Sequence, residues 1–468
     1  MHVAGSIHAD AMAQGPHWLR VPEDVNALLT SLWSETARRR DDGVLEVGGL
    51  PVTEIARRCG TPVYVLDEAD FHHRARAFVE AFDGWGVYYA AKAFVSARVA
   101  GWAVADGLNV DCSTAGELTV ALRGGVPGER IGMHGNNKSE AELAMALDAG
   151  VGRIIVDSFD EIERLSALAA AREALPKVMV RVTTGVEAHT HEYIATAHED
   201  QKFGFSVAAG QAQEALRRCE ADPHLELVGI HSHIGSQIFE TLGFEVAARR
   251  ILALHANMAR EFGRELPEMD LGGGFGIAYT STDHPVPPAD LADQLRAIVA
   301  AEADRLGVAI PRMSIEPGRA IVGPTTMALY RVGTVKQVVV DGTAARTYIS
   351  VDGGMSDNIR PALYAAAYSA TLAGRRSEAA PRLSRIVGKH CEGGDILVRD
   401  EFMPADIHPG DLVAVPASGA YSRAMASNYN MVPRPPVVSV HDGELHTLLR
   451  RETLDDVLGL DVGYRPVP

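Results

Sequence analysis

The sequence IIVDSFDEIERLSAL, residues 154–168, contains one complete unit of the predicted fold. Its apolar start, residues 154–157, predicts a short buried strand. Ser158 followed three residues later by Glu161 is the pattern of a capping box, which marks the beginning of a helix. Apolar residues then recur at three-residue steps over 162–168, so one face of the helix can pack on a sheet. The stretch therefore predicts a strand followed by a helix that covers it.

The same unit recurs along the chain. Short apolar runs, each followed by polar or glycine residues, occur eight times between residues 87 and 316, with helix-like segments between them. Thr114 with Glu117 and Ser139 with Glu142 repeat the capping-box pattern. Eight strand–helix units over about 250 residues are the size of a (β/α)8 TIM-type barrel, an α/β fold. The eight runs are Val87 to Ala93, Leu108 to Ser113, Ile131 to Gly135, Ile154 to Asp157, Val178 to Val182, Leu227 to His233, Met269 to Leu271 and Met313 to Glu316.

Beyond Arg319 the pattern changes to β-type runs that lack helical segments of barrel type, which predicts a mainly β C-terminal domain. The predicted boundary lies near Gly323 and Pro324. The stretch from Ala373 to Arg385 is rich in alanine and arginine and is predicted as a loop. The β-type runs are Thr326 to Val332, Thr347 to Val351, Arg385 to Gly388, Leu412 to Val415, Val437 to Val440 and Leu445 to Leu449.

These patterns divide the chain into three predicted parts. The barrel takes residues 68–324, and the β-domain takes residues 325–468. Residues 1–67 form an N-terminal segment that could join either part. Within it, residues 1–21 are a candidate for disorder.

Composition and charge exclude several classes of protein. With 47% hydrophobic and 22% charged residues among 468, the chain is not intrinsically disordered. Its 61 acidic and 44 basic residues give a net charge of −17, which makes nucleic acid an unfavourable partner. We find no apolar stretch of membrane-spanning length and no signal-peptide pattern. The four cysteines form no CxxC pair, which predicts free thiols, a reducing compartment and a cytoplasmic location.

The active site of a barrel lies where its strands end, so polar residues there are candidates for function. Lys92 ends the first run among apolar and aromatic neighbours. One interpretation is a surface lysine whose stem lies along apolar groups. The other is an amine kept partly neutral by desolvation, as Schiff-base chemistry requires.

A glycine-rich segment, DLGGGFG at residues 270–276, closes the seventh run. It lacks the third small residue of a dinucleotide-binding fingerprint, so we exclude that motif. The alternatives are a plain turn and a loop whose amides approach one phosphate, a site that barrels commonly build near strands seven and eight.

Two histidine patterns raise the question of a metal ion. His231 and His233 form an HxH pair at the end of the sixth run, similar to the metal pair of barrel amidohydrolases. We find no ordered set of further ligands, and such a pair would be expected on the first strand. A second cluster, His189, His191 and His198, is interpreted as a polar loop. We therefore predict no metal cofactor, although the sequence leaves a metal site open.

Two further pairs of residues carry potential chemistry. Glu316 and Arg319 end the eighth run, where they either form a salt bridge or serve separately, the carboxylate at a cofactor ring nitrogen and the arginine at a carboxylate or phosphate. Cys391 and Glu392 lie between two β-type runs, and the thiol could donate a proton to a carbanion.

Taken together, the motifs resemble those of diaminopimelate decarboxylases, a family in the alanine-racemase-like, fold type III class of pyridoxal-phosphate enzymes. The resemblance runs from about Val47 to Val462, and the order and spacing of its motifs make it specific. The motifs are YAAKA at 89–93, HGNNK at 134–138, HSHIGSQ at 231–237, GGGFG at 272–276, EPGR at 316–319, DGGM at 352–355, CE at 391–392 and GAY at 419–421.

The resemblance implies roles for individual residues. Lys92 is similar to the lysine that carries the cofactor covalently, and Cys391 to the acid that protonates Cα. His233 resembles the residue stacked on the pyridine ring, and Glu316 the partner of the ring nitrogen. Positions that resemble cofactor contacts are Lys92, His233, Ser236, Gly273, Gly274, Gly276, Glu316, Arg319 and Tyr421, and those that resemble substrate contacts are Arg319, Arg360, Tyr364, Glu392 and Tyr421.

The resemblance also implies an activity and an assembly. The expected reaction is the decarboxylation of meso-2,6-diaminopimelate to L-lysine and CO2, the last step of bacterial lysine biosynthesis, with pyridoxal 5'-phosphate as cofactor. The β-domain is expected to take up the N-terminal segment. A head-to-tail homodimer is expected, in which Cys391 and Glu392 reach the active site of the second subunit.

The chain departs from the family pattern at three positions. Phe94 stands where many relatives have Asn, Lys389 where a Pro is common, and Gly393 where a Ser is frequent. These departures put the rate and the rigidity of the thiol loop in doubt more than the reaction.

Rival functions remain open. One is a related decarboxylase of arginine, ornithine or carboxynorspermidine, and another is a non-catalytic binding protein of the same fold. The first is disfavoured because Arg319, Arg360 and Glu392 suit a zwitterionic tail, and the second by the joint presence of the lysine, the carboxylate and the thiol. A barrel metal hydrolase is a third alternative.

Overall fold

The computed structural model describes residues 15–16, 18–185, 202–341 and 344–463. The histidine cluster at 189, 191 and 198 and most of the candidate disordered stretch lie outside the described residues. The first elements are β1 (Arg38–Arg39), β2 (Leu45–Val47), β3 (Leu50–Pro51), α1 (Val52–Cys59), β4 (Val63–Asp67) and α2 (Glu68–Ala81).

The predicted eight-stranded barrel is confirmed. All neighbouring strands pair in parallel, and the last strand pairs with the first, with Ser314 opposite Gly86 and Ile315 opposite Val87, which closes the sheet. Among the residues that the structure describes, a short ninth strand, Phe205–Ser206, pairs with the fifth barrel strand and with no other strand. The strands are β5 (Gly86–Ala90), β6 (Asn109–Cys112), β7 (Ile131–Met133), β8 (Arg153–Val156), β9 (Lys177–Thr183), β10 (Phe205–Ser206), β11 (Glu226–Ser232), β12 (Glu268–Asp270) and β13 (Arg312–Ile315).

Helices follow the barrel strands as the sequence predicts. Thr114, Ser139 and Ser158 each accept a hydrogen bond from the backbone N–H three residues later, so the predicted helix starts are confirmed. The helices are α3 (Ala97–Ala105), α4 (Ala115–Arg123), α5 (Glu140–Asp148), α6 (Phe159–Ala171), α7 (Gln211–Ala221), α8 (Leu242–Phe262) and α9 (Pro288–Leu306).

The complete capping box is correct at only one of the three helix starts. Glu142 returns the bond to Ser139 N–H at 3.0 Å. Glu117 instead accepts from Ser113 N–H at 2.6 Å, and Glu161 pairs with the Lys138 ammonium at 2.7 Å. Glu161 is fully buried, and a buried carboxylate requires a charged partner.

The C-terminal part is mainly β, as predicted, and it takes up the N-terminal segment. Strand β4 pairs antiparallel with β14 and parallel with β20. The remaining elements are α10 (Arg319–Val322), β14 (Thr326–Asp341), β15 (Ala344–Val351), α11 (Arg360–Tyr364), β16 (Thr371–Leu372), β17 (Pro381–Val387), β18 (Ile396–Pro404), β19 (Leu412–Val415), β20 (Val437–His441), β21 (Glu444–Leu449) and α12 (Leu454–Leu458).

Two details of the β-part differ from the sequence prediction. Strand β18 was not predicted, and β17 begins inside the stretch predicted as a loop. The two strands pair antiparallel from Pro381 opposite Pro404 to Val387 opposite Ile396. Arg385, which belongs to β17, is fully buried, so tertiary pairing rather than composition determines the strand.

The chain forms two compact units. One comprises His72–Gly276 and Pro285–Ile321 and contains the barrel strands. The other comprises the N-terminal region up to Phe71, Ile277–His284 and the chain from Val322. The predicted domain ranges stay a prediction. Among the described residues, no helix combines the length and the apolar composition needed to cross a bilayer.

Candidate active site

Lys92 lies in the turn that follows β5, where the first barrel strand ends. The backbone of this turn is fixed, because Ala91 N–H donates to Asp111 O at 3.0 Å and Ala93 N–H to Ala90 O at 3.1 Å. The two alanines are buried, but the Lys92 side chain is exposed. The desolvated environment considered for this amine is therefore not found in the single chain, and the catalytic role stays a prediction.

Glu316, directly after β13, is the centre of a buried polar cluster. Its Oε1 lies 3.2 Å from His134 Nε2 and 3.1 Å from His231 Nε2. Burial by itself would raise the pKa of Glu316, but the two imidazoles and the charge of Lys92 hold that pKa well below its usual value. The carboxylate is therefore kept ionised inside the barrel mouth.

Asp111, at the end of β6, is a second buried carboxylate beside this cluster. Its Oδ1 lies 3.5 Å from His134 Nε2. Burial, followed by the negative charge of Glu316, raises the pKa of Asp111 well above its usual value. The pKa values of the two neighbouring carboxyls are therefore shifted in opposite directions, upwards for Asp111 and downwards for Glu316.

The glycine loop at residues 272–276 is shaped by close backbone approaches. Gly272 and Gly274 have φ angles of +71° and +111°, which favour glycine. A Cβ at Gly273 would lie 2.2 Å from Glu316 O, and one at Gly276 would lie 2.8 Å from a neighbouring aromatic ring. The loop is thus free of side chains for steric reasons, and it lies beside the buried carboxylate.

His233 follows β11 and faces this loop. Its Nδ1 accepts a hydrogen bond from Gly273 N–H at 3.2 Å. Burial, followed by the positive charges of Lys92 and Arg181, lowers the pKa of His233 well below its ordinary value. The ring is therefore neutral, with the proton on Nε2.

Ser236 and Arg319, two predicted cofactor contacts, meet in the structure. Arg319 Nη2 donates to Ser236 Oγ at 2.8 Å, and the arginine is 7% exposed. The salt-bridge alternative paired Arg319 with Glu316, whereas the closest charged contacts of Glu316 are the two histidines.

The two histidines of the HxH pair, His231 and His233, contact different groups. His231 contacts Glu316, while His233 contacts the glycine loop. Among the described residues, the group that could hold a metal ion is instead His134, His231 and Glu316, whose ligand atoms all lie within 4.8 Å of one another. The HxH metal pair is an alternative that the sequence disfavours, and its two histidines contact different groups in the structure.

The other unit contains the remaining predicted substrate contacts. Arg360 begins α11 and is buried, with its guanidinium 4.7 Å from the Tyr279 ring centroid and its Nη1 donating to Tyr368 Oη at 2.5 Å. Tyr364 ends the same helix and is partly exposed. Tyr421 lies in a turn with a φ of +59°. Burial by itself would lower the pKa of Arg360, but Tyr279, Tyr368 and, least, Tyr421 raise it above its usual value.

Cys391 and Glu392 are exposed on the loop between β17 and β18. The Asp395 carboxylate, on the same loop, accepts the His390 N–H at 2.7 Å. Asn430 Oδ1 accepts the Cys391 N–H at 3.3 Å. The thiol is thus presented on a backbone that is held on both sides.

Two of the three departures from the family pattern, Lys389 and Gly393, lie on this loop. Lys389 N–H donates to Gly353 O at 3.0 Å, a bond that a proline could not make. Gly393 is exposed, and the hydrogen bonds that Asp395 accepts form with glycine at this position. Phe94 is buried, and its carbonyl accepts the Tyr89 hydroxyl at 2.5 Å. The Lys389 hydrogen bond holds the loop backbone, and the effect of the departures on rate and rigidity stays a prediction.

Several residues of the site have no role that the sequence predicts. Asp111 could have been predicted from the sequence, because it is a polar residue at the end of a strand. His134 is the first residue of the HGNNK motif. Tyr279 and Tyr368 gave no signal, because only the folded chain brings them to Arg360.

Comparisons with known proteins agree with this geometry. Residues 68–323 match the family model described as "Pyridoxal-dependent decarboxylase, pyridoxal binding domain". The chain is 54% identical to the diaminopimelate decarboxylase of Mycobacterium tuberculosis over 440 residues, which are 93% of this chain and 98% of that protein. It is 44% identical to the diaminopimelate decarboxylase of Bacillus subtilis over 434 residues, 92% of this chain and 98% of that protein.

Solved structures show the same likeness. The diaminopimelate decarboxylase from M. jannaschii in complex with L-lysine has a TM-score of 0.85 and 28% identity, covering 93% of this chain and 99% of that one. The enzyme from Helicobacter pylori complexed with L-lysine has a TM-score of 0.79 and 27% identity, covering 88% and 99%.

Proposed function

The chain belongs to the family of pyridoxal-dependent decarboxylases, and on this premise we propose that it converts meso-2,6-diaminopimelate to L-lysine and CO2. This reaction is the final step of bacterial lysine biosynthesis. The observation that carries the proposal is the 54% identity to a diaminopimelate decarboxylase over 98% of that protein.

Pyridoxal 5'-phosphate fits the residues of the barrel mouth. Glu316 Oε1 is buried without a well-aligned hydrogen-bond partner, which suits the protonated nitrogen of a pyridine ring. The glycine loop at 272–276 presents backbone instead of side chains, which suits a phosphate. The residues proposed to hold the group are Lys92 covalently, Glu316 at the ring nitrogen, His233 at the ring face, and Ser236, Gly273, Gly274, Gly276 and Tyr421 chiefly at the phosphate.

The chain's own residues then perform defined tasks. When bound, the cofactor supplies an electron sink for the pair left at Cα after CO2 departs. Ionised Glu316 keeps a proton on the ring nitrogen. Lys92 Nζ accepts and returns a proton at the substrate's amino nitrogen as substrate enters and product leaves. Cys391 Sγ donates the proton that replaces CO2 at Cα and is reprotonated from solvent.

Substrate selection rests on the distal end of diaminopimelate. Arg360 is held between two tyrosines, so its planar guanidinium is fixed in advance for a carboxylate. Glu392 suits the distal ammonium, and Arg319 a second carboxylate. Tyr364 and Tyr421 complete the proposed substrate contacts.

We also propose the assembly and location that the sequence predicts. The assembly is a head-to-tail homodimer in which a second copy supplies Cys391 and Glu392. The location is cytoplasmic, which agrees with four cysteines that are free thiols in the structure.

The test combines spectroscopy with product analysis. Purified protein with pyridoxal phosphate should show a visible band that borohydride abolishes, and meso-diaminopimelate should yield L-lysine and CO2 in equal amounts. Lys92→Ala should lose the band and about 10³-fold or more of kcat, because the covalent attachment and the proton carrier are both removed. Lys177→Ala, at an exposed strand start, is the matched control.

Two results would contradict the proposal. A band with faster turnover of L-ornithine, L-arginine or carboxynorspermidine would assign a related decarboxylase. A band without turnover of any of these substrates would indicate a binding protein.

A further inference from the structure

We propose that the chain, when free of its cofactor, binds one divalent transition-metal ion on His134, His231 and Glu316, with Zn²⁺ as the best-fitting ion. The three residues come from the ends of β7, β11 and β13, so rigid barrel strands position them. All three are buried, with exposures of 6%, 1% and 3%.

The distances between the ligand atoms fit tetrahedral zinc. Zinc bonds to nitrogen and oxygen of about 2.0–2.1 Å place neighbouring ligand atoms about 3.3 Å apart. Glu316 Oε1 already lies 3.2 Å from His134 Nε2 and 3.1 Å from His231 Nε2. The three atoms lie within 4.8 Å of one another, so a small rotation of the imidazoles would complete the geometry.

The ligand atoms contact one another within the cluster. Within the part of the chain that the structure describes, His134 Nε2, both ring nitrogens of His231 and Glu316 Oε1 are buried without a well-aligned hydrogen bond. Buried polar atoms of this kind are costly unless a ligand satisfies them. The two imidazole nitrogens converge on one carboxylate oxygen, where a cation would be stabilised.

The donor set selects the class of ion. Two imidazoles and one carboxylate suit zinc and its neighbours in the transition series, whereas Mg²⁺ and Ca²⁺ prefer oxygen ligands alone. Three protein ligands leave a fourth position open, as in many zinc sites. Asp111 Oδ1 lies 3.5 Å from His134 Nε2, beside the proposed site.

Metal and cofactor would exclude each other, because both require Glu316 Oε1. This consequence rests on the role of Glu316 proposed above. Zinc bound at Glu316 would then inhibit the enzyme by preventing pyridoxal phosphate from binding. Conversely, binding of pyridoxal phosphate would displace the ion.

The experiment uses the full-length chain after removal of its cofactor. Zn²⁺ is titrated by calorimetry and Co²⁺ by visible absorption, whose intensity reports tetrahedral coordination. One equivalent should bind, and His134→Gln and His231→Gln should each weaken binding by about 10-fold or more. His72→Gln, a histidine paired with Asp106 outside the cluster, and Cys391→Ser, an exposed thiol, should bind as the parent does. Far-ultraviolet circular dichroism verifies that each variant is folded.

The outcomes separate clearly. If the chain does not bind one equivalent of the ion, the proposal is wrong. It is also wrong if both histidine variants bind the ion as the parent does, because the ion would then bind elsewhere. Binding that is lost in folded variants supports it. Prior addition of pyridoxal phosphate should prevent metal binding, and unchanged zinc affinity in saturating cofactor would contradict the shared carboxylate.

Discussion

The barrel mouth and the loop that carries Cys391 hold their polar groups in opposite ways. At the mouth, Asp111, His134, His231 and Glu316 approach within 3.1–3.5 Å, yet each has a buried atom without a well-aligned hydrogen bond. Around the loop, the carboxylate of Asp395 and its neighbours are paired with backbone N–H groups. An unsatisfied buried polar group costs about 1–3 kcal/mol, so such groups mark a place for a ligand. Paired groups mark a place where a backbone is fixed in advance.

The largest effect is expected from a buried ion pair of the barrel, Lys138 with Glu161. Lys138 Nζ lies 2.7 Å from Glu161 Oε1, both side chains are fully buried, and Nζ also donates to Ile155 O at 2.8 Å. Glu161→Gln should lower the free energy of unfolding by about 3–5 kcal/mol, because it leaves a buried ammonium uncompensated. Chemical denaturation measures the change. Glu163→Gln, at an exposed position of the same helix, should change it by less than about 0.5 kcal/mol, and equal losses would contradict the assignment.

The next largest effect is expected at Asp357, a carboxyl that accepts hydrogen bonds and is nevertheless shifted to a higher pKa. Burial raises the pKa of Asp357 from 3.8 to about 7, against hydrogen bonds from Gly354 N–H and the Ser356 hydroxyl. The folded chain therefore binds this proton more tightly than the unfolded chain. The stabilisation is complete below pH 3.8 and is lost as the pH rises to about 7.

Asp357→Asn should remove this dependence. Its melting temperature should exceed that of the parent at pH 8 by an amount equivalent to about 2–3 kcal/mol, and the difference should shrink towards pH 5. Thermal scans at several pH values measure it, with exposed Asp41→Asn as the control. A difference that does not vary with pH would refute a titration of this carboxyl.

The smallest effect is expected at the thiol loop. Asp395→Asn replaces an acceptor of the His390 and Met355 N–H groups by an amide, so one of these bonds is lost. We expect kcat to fall about 10-fold, or about 1.4 kcal/mol, with an unchanged cofactor affinity, because a loosened loop misplaces the proton donor. Steady-state kinetics and cofactor titration separate the two. Asp406→Asn, whose partners are Ser377 and Arg375, should leave kcat unchanged. A fall in cofactor affinity instead would show that the loop supports the mouth.

The sequence by itself determined the barrel, its eight strands and the glycine loop. Apolar periodicity and helix caps are local, so nearby residues are sufficient to specify them. Lys92 and Glu316 could be predicted as site residues because strand ends are readable from the sequence and always face one end of a barrel.

Only the tertiary structure decided which groups meet. His134 and His231 follow or end different strands, and both contact the same oxygen of Glu316. Glu161 forms an ion pair with Lys138 instead of completing the predicted capping box. Strand β4 inserts between β14 and β20, more than 250 residues away in the chain. Strand partners and buried charge pairs depend on groups that folding brings together over long separations, and no local pattern specifies them.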